Sequence, residues 1–226
     1  HSSALEDIVQ YHEEGHNYDA MAWVVHGGQK ETKPVPKECQ DRFFEVQFRT
    51  GDGEKGFFFA VLDGHGALVP GKQGHHAAQI AGQALVANFK PASSSEEDVN
   101  NAFRAAIDAA EEQLKEFDYA GSTMAAICAF EGKFFAANMG DSMSHFVVKS
   151  RKPTTFGRAV VKPVSEKHKI TVPKECVRIF KKGGILDHER GGVLYEKDGH
   201  CRAATRCFGD MKWKAVGVVA EPFIQE

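Results

Sequence analysis

The chain has 226 residues, a formal charge of -3 and a pI near 6.4, with 42% hydrophobic and 26% charged residues. These values suit a globular domain. They argue against a nucleic-acid surface, which would be clearly basic, and no apolar run approaches the ~20 residues needed to span a bilayer. The opening HSSALEDIVQ shows no basic segment followed by an apolar one, so no secretory signal is visible and a cytoplasmic or nuclear location is expected.

In chain order, FFEVQF (43–48) and FFFAVL (57–62) flank a Gly-Asp-Gly stretch and predict a hairpin with Asp52 in its turn. Residues 72–89 carry Ala77, Ile80, Ala81, Ala84, Leu85 and Phe89 near helical spacing. His75 and His76 fall in the first turn, as metal ligands or as a solvated helix start. After PASSS, Ser95 can cap a second helix whose Glu96, Glu97 and Asp98 suit its positive end. Its apolar stripe runs from Val99 through Phe103 and Ile107 to Leu114 and Phe117.

MAAICAF and KFFAANM around Glu131-Gly132 predict another hairpin, SHFVVK a strand, and KECVRIFKKGG a short helix stopped by Gly183 and Gly184. The basic KSRK (149–152) reads as a solvated loop, and KAVGVVA as a last strand. Cysteines 39, 128, 176, 201 and 207 form no C-x-x-C pair, which supports neither a zinc site nor a disulfide framework and suits a reducing compartment. Strands, two helices and strands again favour a single α+β domain with central sheets and outer helices.

Four carboxylates stand at the ends of apolar segments: Asp41, Asp63, Asp141 and Asp210, three of them beside a glycine. Singly, each reads as a turn residue, and His65 as structural. Together they would crowd one rim of the sheets, where like charges resist joint ionisation. Hard cations such as Mg²⁺ or Mn²⁺ take oxygen ligands and resolve the conflict. Two such ions roughly 4 Å apart can lower the pKa of a bridging water and clamp an in-line displacement. Phosphoryl chemistry suits this, and His65 would stand ready to protonate a leaving oxygen.

The stretches PKECQDRFF, FFFAVLDGHGA, AGSTMAAICAF, AANMGDSMSHF, KECVRIFKKGG and CRAATRCFGDMKWK, in this order, resemble the metal-dependent protein phosphatases of type 2C. The resemblance runs from about residue 21 to 226. It implies a four-layer αββα sandwich of two antiparallel β-sheets flanked by helices, one phosphatase-like domain over 1–226. It also implies hydrolysis of phosphoserine and phosphothreonine in proteins by metal-activated water, with two or more Mg²⁺ or Mn²⁺ ions, by a monomer with no nucleic-acid or membrane partner. By position, Asp63 would bridge two metals and Gly64 would lend a carbonyl. Asp210 would ligate the second metal, and Asp41 would hold water on the metal. Asp141 would join Asp210 around a looser third ion. His65 matches the proposed general acid.

Departures favour a second reading, an impaired phosphatase that binds partners through the same fold. Gln40 stands where an acidic residue is usual, Ala67 where glycine is usual and Met143 where arginine is usual. The family's phosphate-binding arginine has no counterpart; Lys37 is the nearest cation, a point charge without arginine's fork. The chain stops at EPFIQE, before the family's further Asp-Gly ligand, so it is expected to be incomplete at its C-terminus.

Overall fold

A computed structural model describes residues 39–66, 69–154, 157–194 and 201–226, together with two short strands. These strands, β1 (Val9–Tyr11) and β2 (Met21–Trp23), pair with each other antiparallel.

The first predicted hairpin is β3 (Asp41–Arg49) and β4 (Lys55–His65), in register from Asp41 opposite Asp63 to Arg49 opposite Lys55. Its turn closes as expected: Thr50 Oγ1 donates to Asp52 Oδ1 at 2.5 Å, and Gly53 takes φ +96°. Strand alternation sends Phe58, Ala60 and Leu62 inward, all buried. Two helices cover that face. In α1 (Gly74–Asn88), Ala77, Ala78, Ala81, Ala84 and Leu85 face the core. The small residues let the helix sit close, and a Cβ on Gly82 would lie 1.9 Å from the Phe44 ring. Ser95 caps α2 (Glu96–Gln113) by accepting from the Asp98 N–H at 3.2 Å. Phe58, Phe89 and Phe103 meet between sheet and helices with ring centroids 4.7–6.0 Å apart. Each such ring contributes about 1.5–3 kcal/mol by leaving water.

The second half supplies β5 (Gly121–Ser122), β6 (Met124–Phe130), β7 (Lys133–Met139), β8 (His145–Thr154) and β9 (Gly157–Pro163). Then come α3 (Pro173–Lys181), β10 (Ile185–Asp187), β11 (Gly192–Leu194) and β12 (Cys201–Arg202). The described chain closes with β13 (Phe208–Gly209), α4 (Met211–Lys214) and β14 (Phe223–Gln225). A seven-stranded sheet runs β13-β5-β4-β6-β7-β14 with β3 also on β4; β10-β11-β12 and β8-β9 form smaller antiparallel sheets. The α+β class with antiparallel sheets and covering helices is therefore observed. A second core of Ile170, Ile179, Val193, Cys207, Trp213, Val216 and Val218 lies under α3 and α4.

Two expectations are corrected. KAVGVVA is not a strand: Val216 and Val218 donate their N–H groups to Trp213 O, Gly217 turns the chain at φ +95°, and the valines fill the second core. Pairing is limited to one parallel bridge, Val219 with Arg206, and burial of Val216 and Val218 accounts for the apolar character. KSRK lies within β8 instead of a loop.

Candidate active site

The large sheet forks at Asp63. Upstream, residues 57–61 of β4 pair with β6; downstream, Gly64 and His65 pair with β5. Thr123 sits in the fork. Its N–H donates to Asp63 O at 3.0 Å, its hydroxyl accepts from the Asp63 N–H at 3.3 Å, and the hydroxyl meets Ser142 Oγ at 2.6 Å. The loop after β7 that carries Asp141 is thereby tied to the end of β4. From the other side, Gly140 N–H donates to His168 Nδ1 at 3.1 Å.

Asp63 is exposed and faces Asp41 across the ladder. Burial of its surroundings raises the Asp63 carboxyl, the Asp41 carboxylate beside it raises it further and Asp141 adds to this, with His65 acting in the opposite sense. This is the signature of carboxylates short of positive charge. Asp141 pairs with Lys169 Nζ at 2.9 Å, and both groups are about one-third exposed. Gly64 lies where no side chain fits: a Cβ would stand 2.2 Å from Gly74 O and 2.7 Å from Gln40 O. The start of α1 thus packs directly on the Asp63–Gly64–His65 backbone, with Gly74 N–H bonded to Gly66 O at 2.8 Å.

Asp210 stands apart from that group. It is fully buried and is the one non-glycine residue with positive φ among the described residues, at 51°. Its Oδ2 meets His65 Nε2 at 2.5 Å and its Oδ1 accepts from Arg202 Nε at 2.8 Å. Burial alone would push the carboxyl up; His65 and Arg202 overcome it and hold it below its usual range. With Asp210 ionised and accepting only, the proton between it and His65 resides on Nε2. Gly121 makes the space, since a Cβ there would meet Phe208 O at 2.2 Å, His65 Nε2 at 3.0 Å and Asp210 Oδ2 at 3.1 Å.

The Cys207 thiol lies 3.4 Å from Asp210 Oδ2 and is pushed well up by burial and by Asp210. His65, Cys207 and Asp210 could enclose a metal ion by distance. The guanidinium on Asp210 and the protonated thiol make this a hydrogen-bonded structural group.

Asp41, Asp63, Asp141, Gly64 and His65 are thus brought to one end of the large sheet, and Asp210, just after β13 of the same sheet, meets them through His65. Lys37 lies outside the described residues. Arg202, Gly121, Lys169 and Thr123 were missed by sequence reasoning. Thr123 and Gly121 lie in AGSTMAAICAF, where they read as a strand start; no signal in CRAATR connects Arg202 to Asp210. The His75–His76 alternative leans to the helix start, because His76 Nδ1 accepts from the Gln73 N–H at 3.4 Å.

Asp41 and Asp63 offer the hard oxygens that Mg²⁺ and Mn²⁺ prefer, with a charge deficit for an ion to fill. Asp141 could join them by releasing Lys169. Asp210 as placed has both oxygens engaged.

The family model of protein phosphatase 2C matches residues 25–226. "Probable protein phosphatase 2C 11" of Arabidopsis thaliana is 31% identical over 202 residues, 84% of this chain and 47% of that protein. "Probable protein phosphatase 2C 45" of Oryza sativa subsp. japonica is 27% identical over 199 residues, 86% of this chain and 63% of that protein. The chain thus spans about half to three-fifths of the length of these curated relatives. A crystal structure of a serine-threonine phosphatase 2C from Toxoplasma gondii superposes with a TM-score of 0.65 at 21% identity, covering 96% of this chain and 77% of that one. At that identity the likeness bears on the fold alone. With the family match spanning nearly nine-tenths of its length, the chain belongs to the protein phosphatase 2C family.

Proposed function

We propose that this chain carries a site for hydrolysing phosphoserine and phosphothreonine in proteins, dependent on Mg²⁺ or Mn²⁺. The observation that carries the proposal is the Asp41–Asp63 pair, a charge-deficient couple at the rim of a sheet. Asp63 and Asp41 would hold the first ion, with the Gly64 carbonyl beside them. Asp141 and Asp210 would serve a second or further ion, and Lys37 would attract the phosphate. A bound divalent ion neutralises phosphate charge and makes water more acidic.

The chain's own contribution is orientation and a proton. Asp210 holds His65 through Nε2, which leaves Nδ1 as the ring nitrogen that would give a proton to the departing serine or threonine oxygen. The α1 start and the Thr123–Ser142 contact hold the Asp63 backbone and the Asp141 loop in place, which keeps these carboxylates close to where an ion would sit.

A second reading, an impaired phosphatase acting as a binding protein, draws support from Asp210, whose oxygens are both taken. Release of inorganic phosphate from a phosphothreonine peptide separates the two. Phosphate released with Mn²⁺ and stopped by EDTA supports the enzyme. No release by folded protein at saturating Mn²⁺ supports the binding protein.

A further inference from the structure

Arg202 is placed like a resident cation. Its Nε donates to Asp210 Oδ1 at 2.8 Å, its Nη2 donates to Tyr119 O at 2.6 Å, and its guanidinium carbon lies 4.1 Å from the centre of the Trp213 ring. Trp213 is fully buried and fixed by its own Nε1 bond to Val193 O at 3.2 Å. The Arg202 side chain is 15% exposed and the Asp210 side chain not at all. An aromatic face, a carbonyl and a carboxylate therefore converge on one guanidinium, and such a group is preorganised where a lysine would not be. An arginine also cannot be discharged in a protein. A divalent ion arriving at Asp210 would meet a fixed positive charge and would have to displace it.

We infer that Arg202 is a built-in counter-cation that competes with a divalent ion for Asp210, so that the ion is taken first by Asp63 and Asp41 and Asp210 becomes a ligand only when Arg202 withdraws. The competition is local. The Arg202 guanidinium is spent on Asp210 Oδ1, Tyr119 O and the Cys201 carbonyl. Its removal should therefore change what Asp210 binds and leave the Asp41–Asp63 pair as it is. Arg202's role rests on the metal-dependent reading above only in that a divalent ion is the competitor.

Calorimetry with Mn²⁺ alone tests this in the full 226-residue chain. R202M keeps an apolar stem against Trp213 and removes the charge; R202Q keeps a donor for Tyr119 O and removes the charge. R202M and R202Q should bind Mn²⁺ about tenfold more tightly or take up an additional ion, the size of effect one neighbouring charge has on a carboxylate's proton affinity. D210N added to R202M should abolish that gain. Isotherms for both Arg202 variants identical to the wild type would overturn the proposal, as would a gain in R202M that D210N leaves in place. D63N separates the two readings: wild-type Mn²⁺ binding that survives D63N counts against the metal site of the proposed function, while the Arg202 comparison still stands or falls by itself. Should the variants fold poorly, the native protein gives the answer by NMR. The Arg202 Nε–H resonance should persist as Mg²⁺ fills the first site, and its loss at that point would contradict the inference.

Discussion

Asp41 and Asp63 stand directly opposite one another across the β3–β4 ladder, one carboxylate raising the other's affinity for a proton. Like charges in that position weaken a hairpin, by about 0.2–1 kcal/mol. A hairpin built for stability alone would not carry them. The folded state holds the Asp63 proton more tightly than the unfolded chain does, so the cost grows as pH rises through its titration. D41N should therefore stabilise the metal-free protein by about 0.2–1 kcal/mol at neutral pH while weakening Mn²⁺ binding. Urea unfolding in EDTA checks the first half; a destabilised D41N would show that the two carboxylates are not in conflict.

His65 carries its proton on Nε2 against Asp210 and is half-buried. H65Q should lower turnover of a phosphothreonine peptide by about 10²–10⁴-fold, the usual worth of a positioned general acid. The loss on p-nitrophenyl phosphate should be much smaller, because a nitrophenolate departs without protonation. Equal losses on both substrates would assign His65 to positioning only.

Gly121 leaves room for the His65–Asp210 contact. In G121A the new methyl would press on Phe208 O and on both side chains. Overpacking of this kind costs about 1–3 kcal/mol, and turnover should fall with it because His65 and Asp210 are pushed apart. A G121A protein with wild-type stability and turnover would mean that the site is looser than these contacts require.

His168 links the Asp141 loop to the second half of the chain, accepting from Gly140 N–H and giving its carbonyl to Thr205 N–H. Burial, aided by Arg206, lowers it from 6.5 to about 4. The folded state thus resists protonating it. Stability from this source is complete above pH 6.5 and is lost as pH falls from there to about 4, a change of roughly 3 kcal/mol. H168N keeps an acceptor for Gly140 and does not titrate, so its melting temperature should fall less steeply between those pH values. Parallel profiles for the two proteins would contradict the assignment. Glu175 titrates well below this window. Burial raises its carboxyl, but bonds from Arg206, Arg178 and Thr205 outweigh that and hold it at about 2.

The elements that the sequence made legible are those in which local pattern and tertiary demand agree. FFFAVL is an apolar run beside a Gly-Asp-Gly turn and forms a strand buried on alternate residues; Ser95 both favours a cap and makes one. Asp41, Asp63, Asp141 and His65 could be picked out because each ends an apolar segment, and strand ends gather at a sheet's rim. Asp210 was legible as a carboxylate but not as one already paired, since Arg202 reaches it from another strand and is fixed by Trp213 and Tyr119. KAVGVVA misled because an apolar run shows only that it is buried; the Gly217 turn and the Trp213 pocket decided how.

The claim that Asp63 and Asp41 hold a divalent ion is tested most directly by the electron paramagnetic resonance of Mn²⁺. Free Mn²⁺ gives a six-line spectrum that weakens when the ion enters a protein carboxylate site. Titrated into the wild-type protein, Mn²⁺ should lose this signal until the site is filled, whereas D63N of matched circular dichroism should leave it at the level of buffer. A D63N protein that removes as much free Mn²⁺ as the wild type would contradict the account.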